Sequence, residues 1–471
     1  VSTGLAPGSG FRLDSTRAIS VGVLASGDWV PVLELVLETV GLSDEVTVVV
    51  VVPVSATSVE TVAAVGVVDQ RLGGRDLLLV VEPDHRLLDV FRTVDLVVAG
   101  DRAARALGYE AGRSVVAADP VELALEVTRR ATPWALDRRI DADRERLVQR
   151  PVRDGGAAAP VSVLIPTYNR VSHLDECLAS VLAIDADVSI IISDNASDDG
   201  TFELCRDLTA HDERVVLRRN DENLGWLGNC SALLHAATSD LVSFVFSDDR
   251  VTVGSIERLA EVLTADPGLA LATGPFRIID DNGIETPAWP ESNLGIGADA
   301  VLDPRVLGDL MLARHGNLVG PPSGPMLRRS LLELDTPSHI AGTEVFWAFD
   351  IAMYLKVLQH GPAAYVVDPV CDFRVGASTQ SAELKRAIGM SLDFWWMIDH
   401  APAMGYLHDR ADRRAAVANC LQFSRDRIAW ATAVLAGGQS AVEGVPAERL
   451  RQQIGTLEQC SQAAALELLS L

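Results

Sequence analysis

Short, nearly continuous apolar runs alternate with longer amphipathic stretches along this chain. Residues 18–25, 46–54 and 76–81 have strand length, and 94–99 and 114–118 are shorter runs of the same kind. Residues 31–40 carry helical spacing, and further helical segments fit between several of the runs. Strands apolar on both faces, alternating with helices, predict a parallel, doubly wound sheet. This Rossmann-like α/β domain is expected over 18–132, after a Gly-, Ser- and Pro-rich flexible N-terminus at 1–17. Residues 133–160 change character: a charged stretch, read as a linking helix, runs into a small-residue linker ending at Pro160. Strand patterns then return at 161–165, 188–192, 214–218 and 241–246. Ser172 with Asp175 reads as a capping box ahead of the apolar face Leu174, Leu178, Val181 and Leu182. Ser197–Thr201 opens a second helix, and a third follows the turn at 223–229. Residues 381–471 read as a helical C-terminal region.

At 471 residues the chain is too long for one ordinary core, so two or three domains are expected. Forty Lys and Arg against 65 Asp and Glu leave a net charge of −25. Such a chain repels a phosphate backbone and an anionic lipid surface, which argues against nucleic acid and membrane partners. No apolar run approaches the ~20 residues that span a bilayer, so no transmembrane segment is expected. The N-terminus has no basic segment followed by an apolar core, and no signal peptide is expected. The six cysteines are scattered and form no CxxC pair, which argues against a zinc site or a disulfide framework and suits a cytoplasmic location. The first strand pattern ends at Ala25-Ser26-Gly27-Asp28, without the glycines of a dinucleotide or P-loop turn. A packing or assembly role is expected for that domain.

Chemistry gathers in the second half. Three predicted strands end in polar groups: Tyr168 and Asn169, Asp194 and Asn195, Asp248 and Asp249. In an open α/β sheet, ligands bind at the carboxyl ends of strands. Acidic groups crowded on one such edge repel each other unless a cation or sugar hydroxyls engage them. Mg²⁺ and Mn²⁺ take oxygen ligands, typically one or two carboxylates plus substrate phosphates. The edge therefore points to a phosphate-bearing ligand clamped through a metal. Taken singly, each of these motifs is an ordinary solvated turn or helix start; it is their order that carries the reading.

In that order, the chain resembles the family 2 glycosyltransferases, which have the GT-A fold. The matching pieces are VSVLIPTYNR at 161–170, IIISDNASDDGT at 190–201, NLGWLGNCSALLHAA at 223–237 and LVSFVFSDD at 241–249. FRIIDDNG at 276–283, GNLVGPPSGPMLRR at 316–329, FDIAMYLKVLQHG at 349–361 and DPVCDFRVGAST at 368–379 follow. The resemblance implies a GT-A domain over 161–380. It implies a soluble, metal-dependent, inverting enzyme that moves a sugar from a nucleotide-diphospho-sugar donor to an acceptor hydroxyl. Pro166, Tyr168, Asp194, Asn229 and Asp248 would hold the donor nucleotide, with Asp194 at the base and Asp248 near the ribose. Asp249 would ligate Mn²⁺ or Mg²⁺ on the diphosphate, and Asp350 would be the catalytic base, with Glu344 in reserve. The sequence departs from the family pattern at Ser247, at Phe349 where an acid is frequent, and at Gly376 where His is frequent.

A catalytically impaired nucleotide-sugar binding or scaffold protein is the alternative those departures keep open. A nucleotidylyltransferase is disfavoured, because PTYNR lacks the glycine that a triphosphate loop needs. In the C-terminal region, Phe394, Trp395, Trp396 and Met397 read as core or interface, with the flank of an acceptor pocket as the alternative. Leu450, Ile454, Leu457, Ala464, Leu468 and Leu471 form one helical face, packed on the body or serving as a homodimer seam.

Overall fold

Two separate parallel arrays carry the α/β pattern into three dimensions. The computed structural model describes strands at 19–24, 46–53, 77–82, 96–99 and 114–117, and then residues 144–470 apart from 154, 156–157, 288–291, 377–379, 437–440 and 443–444. The chain divides into two compact units, 1–140 with 417–426 and 458–471, and 141–416 with 427–457. Of the three long C-terminal helices, the last two each contribute residues to both units.

In the first unit, β1 (Ile19–Leu24), β2 (Val46–Pro53), β3 (Leu77–Glu82), β4 (Leu96–Ala99) and β5 (Ser114–Ala117) form one sheet. Its order is β3-β2-β1-β4-β5, and every pairing is parallel. The segments expected at 1–17 and 31–40 lie outside the described residues.

The second unit starts with β6 (Val148–Pro151) and β7 (Val161–Thr167). Next come α1 (Leu174–Leu182), β8 (Val188–Asp194), α2 (Thr201–Thr209), β9 (Val215–Arg219), α3 (Gly225–Ala236) and β10 (Leu241–Phe244). They are followed by β11 (Arg250–Val251), α4 (Ser255–Ala265), β12 (Leu271–Thr273), β13 (Phe276–Ile279), β14 (Ala300–Leu302), α5 (Pro304–Arg314) and β15 (Met326–Arg328). A hairpin, β16 (His339–Ile340) and β17 (Thr343–Glu344), leads to α6 (Phe349–Leu358), β18 (Ala363–Tyr365) and β19 (Cys371–Arg374). Three long helices close the chain: α7 (Gln380–His400), α8 (Arg410–Ala436) and α9 (Ala447–Ser470).

The main sheet has nine strands in the order β6-β14-β18-β12-β15-β10-β7-β8-β9. β10, β7, β8 and β9 are parallel, whereas β15 joins β10 antiparallel. The chain leaves β7 toward β8 on one side and meets β10 on the other, so the strand order reverses at β7. A reversal of this kind opens a crevice at the strand ends. Val161, Val163 and Ile165 of β7 pack with Ile190 and Ile192 of β8 and with Leu174, Cys177, Leu178 and Val181 of α1. Outside the main sheet, β11-β19-β13 forms a small three-stranded sheet.

Two local expectations are corrected. Within the stretch read as helix and linker, Val148–Pro151 is an edge strand paired antiparallel with β14. Its pattern is largely exposed, so it carries no apolar alternation to read. The capping box at Ser172 does not form, because α1 starts at Leu174 with His173 at its N-cap. Ser172 sits one residue too early, and its hydroxyl meets His173 Nδ1 at 3.1 Å.

Phe394, Trp395 and Met397 are buried, as expected of core. The apolar face of α9 is buried as well: Leu450 and Ile454 pack with Ile388 and Ala431. Leu450 and Ile454 of that face are thus covered from within the chain. All six cysteines are free thiols, and all but Cys460 are buried. Among the described residues no helix is long and apolar enough to cross a membrane.

Candidate active site

The carboxyl ends of β7 and β8 come together first. Their register runs as far as Thr167 opposite Asp194, with Pro166 opposite Ser193. The chain then turns through Asn169, whose φ of 49° lies in the left-handed region that Asn tolerates better than most residues. The loop is strapped to the start of α2. Asn169 N donates to Ser197 Oγ at 3.0 Å, and the Asn169 side chain exchanges two hydrogen bonds with Asp198. Arg170 N donates to Thr201 Oγ1 at 2.9 Å. Tyr168 is left 44% exposed at the lip.

Asp194 is fully buried. Its Oδ2 accepts from Ser197 N at 3.2 Å and lies 3.4 Å from Arg219 Nε. Its Oδ1 is buried with no hydrogen-bond partner among the described residues, and the neighbouring Thr167 Oγ1 is in the same position. An unpaired buried polar atom costs about 1–3 kcal/mol. Both sit on paired residues at the ends of β7 and β8. Beside them runs an amide network. Asn195 accepts from Asn220 and from Leu224 N, and donates to Asn223 and to Gly225 O. Asn229 is buried, donates to Ser193 O at 2.9 Å and accepts from Asn220 at 3.0 Å. Its amide ties α3 to the end of β8.

The acidic pair after β10 splits into two environments. The Asp248 side chain is 32% exposed and faces Arg170, whose Nε lies 3.3 Å from Oδ2. Asp249 is buried, and both its oxygens are engaged by the chain. Oδ2 accepts from Ser323 Oγ at 2.5 Å, and Oδ1 accepts from Arg374 N at 2.8 Å. Burial, reinforced by the neighbouring Asp248 charge, pushes the Asp249 carboxyl up to about 8. The Arg374 guanidinium is spent on the same turn: it donates to the carbonyls of Asp248, Asp280 and Asp281 and to Glu176 Oε2. A Cβ on Gly376 would stand 2.7 Å from Asp281 Oδ1, so a histidine there requires that carboxylate to move.

Asp350 opens α6. Its Oδ2 accepts from Asn317 Nδ2 at 2.7 Å, and its Oδ1 from Ile351 N at 2.9 Å. Burial raises its carboxyl to about 6, against the lowering effect of those two bonds. Asn317 also donates to Gly320 O and accepts from the N–H groups of Val319 and Gly320. Asn317 and Ser323 belong to one loop, 316–325. That loop therefore fixes the acidic turn and Asp350 together. Phe349, where an acid was expected, packs edge-on against Trp226 with centroids 4.0 Å apart, and stacks at 6.4 Å on Phe246. Glu344 is exposed on the β16–β17 hairpin.

Arg170, Asn317, Ser323, Arg219 and the ring group around Phe349 escaped the sequence reading as site residues. Asn317 and Ser323 lie in a block recognised only as a string, and nothing in that string shows which carboxylates they reach. Among the described residues no group of three or more His, Cys, Asp or Glu forms a metal cluster.

The fold and these residues define a mixed α/β domain of GT-A type, with polar side chains gathered at the carboxyl ends of its parallel strands. Residues 162–332 match the family model described as glycosyl transferase family 2, and the chain carries a glycosyltransferase domain of that family. An uncharacterised protein of Mycobacterium tuberculosis is 25% identical over 236 residues, covering 48% of this chain and 70% of that protein. An abequosyltransferase of Salmonella typhimurium is 35% identical over 116 residues, 24% of this chain and 34% of its own length. Among solved structures, a mannosyltransferase from Pyrobaculum calidifontis in complex with GDP-Man and Mn²⁺ aligns over 74% of this chain and 98% of its own, at 16% identity and a TM-score of 0.45.

Proposed function

We propose that this chain is an inverting glycosyltransferase that moves a sugar from a nucleotide-diphospho-sugar to an acceptor hydroxyl with the help of a divalent metal. The observation that carries the reading is the single loop, 316–325, that holds Asp350 through Asn317 and the acidic turn through Ser323. A transfer enzyme needs a base for the acceptor and an anchor for the leaving diphosphate, in fixed relation. The donor base would lie against Pro166 and Tyr168 and engage the free Oδ1 of Asp194 and the Thr167 hydroxyl. Asn229 acts in this scheme by holding α3 to β8.

In this scheme the metal contact is assigned to Asp248 rather than to Asp249. Asp249 has both oxygens bound to Ser323 and Arg374, so it shapes the turn. Asp248 keeps a carboxylate open to solvent and already faces a cation. One such carboxylate fits Mg²⁺ or Mn²⁺ held mainly by substrate phosphates. The metal, when bound, offsets charge developing on the leaving diphosphate. Arg170 lies on the same side and adds positive charge there. Asp350 takes the proton of the attacking hydroxyl, while Asn317 and Ile351 N fix its orientation. One base and one displacement invert the anomeric centre; a glycosidase needs two flanking carboxylates.

The reading extends to the rest of the chain. The β3-β2-β1-β4-β5 order reverses at β1. Right-handed crossovers would then cover both faces and make the first unit a doubly wound, Rossmann-like domain. Free, mostly buried thiols suit a cytoplasmic setting.

Thermal unfolding with Mn²⁺ and a panel of nucleoside diphosphates tests the donor site. A ligand at 100 times its Kd, binding only the folded state, adds ~2.7 kcal/mol and raises Tm visibly. One nucleotide is expected to give a metal-dependent shift that Asp248→Asn removes. No shift with any nucleotide would sink the donor reading. A shift that survives Asp248→Asn with its metal dependence intact would return the metal to another ligand.

A further inference from the structure

Four aromatic rings from three segments meet around Phe349, the residue that precedes Asp350 in the chain. Trp226 comes from the first turn of α3, Phe246 from the turn after β10, and Phe346 and Phe349 from the entry and start of α6. Trp226 meets Phe349 at 4.0 Å and Phe346 at 5.6 Å between centroids, both edge to face. Phe246 stacks on Phe349 at 6.4 Å. None of the four is fully buried: Phe346 is 37% exposed, and Trp226, Phe246 and Phe349 are partly so. Elsewhere in this unit large rings such as Tyr354, Tyr365 and Phe394 are withdrawn completely.

The ring group is held firmly. Asp393 of α7 accepts from Trp347 N at 2.6 Å and from Ala348 N at 3.0 Å, on the two residues between Phe346 and Phe349. The Trp347 ring presses on Gly389, where an added Cβ would come within 2.0 Å of it. Phe346 is therefore presented from a backbone that cannot readily fold back to bury it.

We propose that Trp226 and Phe346 form the acceptor subsite, and that the acceptor presents a pyranose ring there with one hydroxyl toward Asp350. The inference rests on Asp350 serving as the base in the transfer reading. A pyranose has one face of C–H groups that packs on aromatic faces, and a rim of hydroxyls that needs hydrogen-bond partners. A partly wet ring group next to a carboxylate supplies both, whereas an alkyl tail has no use for the carboxylate. Binding sites of this composition, apolar walls with a few placed polar groups, are the usual form for small ligands. Phe349 then has a reason to replace an acid: it backs Trp226 and keeps its ring in place.

The probe is a set of methyl glycopyranosides, with gluco, galacto, manno and N-acetylglucosamine configurations. Saturation-transfer NMR on the full chain reads their ring protons, with and without Mn²⁺ and nucleoside diphosphate. At least one glycoside is expected to receive saturation on its C–H face. Phe346→Ala should weaken that signal at least fivefold, and Phe346→Tyr should restore it. Phe346 is surface-placed, so both variants should fold and keep the nucleotide-induced rise in Tm. The proposal is overturned if no glycoside binds the unaltered chain, or if Phe346→Ala binds as well as Phe346. Saturation of decyl phosphate but of no glycoside would overturn it in favour of an apolar tail. A missing nucleotide shift in the unaltered chain would defeat the donor reading instead, whatever the glycosides do.

Discussion

At the scale of single residues, Asp350 makes the sharpest demands. As a base it works only when ionised, and burial holds its carboxyl at about 6. Transfer is therefore expected to rise with pH through about 6 and level off above it. Asn317 donates to the ionised form and so lowers this midpoint. Asn317→Ala should move the rise to higher pH, and a pH–rate profile of the two proteins checks it. Asp350→Asn should cost ~10²–10⁴ in kcat. It should leave the nucleotide-induced rise in Tm intact, because Asp350 touches no part of the proposed donor site. The same shift has a stability consequence of opposite sense. With the folded carboxyl at about 6 and the free one at 3.8, the folded chain binds more protons between those values. The contribution of Asp350 to stability is thus fully present below pH 3.8 and is lost as pH rises to about 6. Asp350→Asn should remove that slope, as read from Tm against pH.

At the scale of elements, the sequence pattern located the strands of the parallel sheet well, because buried strands betray themselves by unbroken apolar runs. It failed where the signal is absent by physical necessity. Val148–Pro151 is a mostly exposed edge strand, and its charged residues look the same in a helix or a linker. Ser172 carries the right residue type for a cap, but the helix starts too late to use it. Side-chain roles at the acidic turn were harder still. Asp248 and Asp249 are chemically identical neighbours, and only the approach of Ser323 and Arg374 from 74 and 125 residues away distinguishes them. The segment before α6 makes its own prediction. Asp393 accepts two N–H groups there, and Asp393→Ala leaves both without that partner. A loss of about 1–3 kcal/mol in unfolding free energy is expected, with kcat falling because Asp350 follows directly. Asp393→Asn keeps an acceptor oxygen and should recover most of both. Denaturant unfolding alongside steady-state kinetics separates the two effects. An Asp393→Ala protein with unchanged kcat would detach this contact from the placement of the base.

At the scale of the whole molecule, the ordered series of motifs carried more information than any one of them. Eight short strings in the right order indicated the transferase domain, which the family match at 162–332 independently supports. What the order of motifs does not contain is the destination of the long helices. The face of α9 has the spacing of a seam, and spacing alone does not distinguish a partner chain from the chain's own body. Here Leu450 and Ile454 meet Ile388 and Ala431, so these two residues are covered from α7 and α8. Leu450→Ala should then act as a core truncation, costing ~2–5 kcal/mol by lost transfer energy and the cavity left behind. Because no second chain is needed to bury that face, the loss in Tm should be the same at dilute and concentrated protein. A loss that grows on dilution would mean that α9 is held by a second copy after all, since only an association equilibrium makes Tm depend on protein concentration.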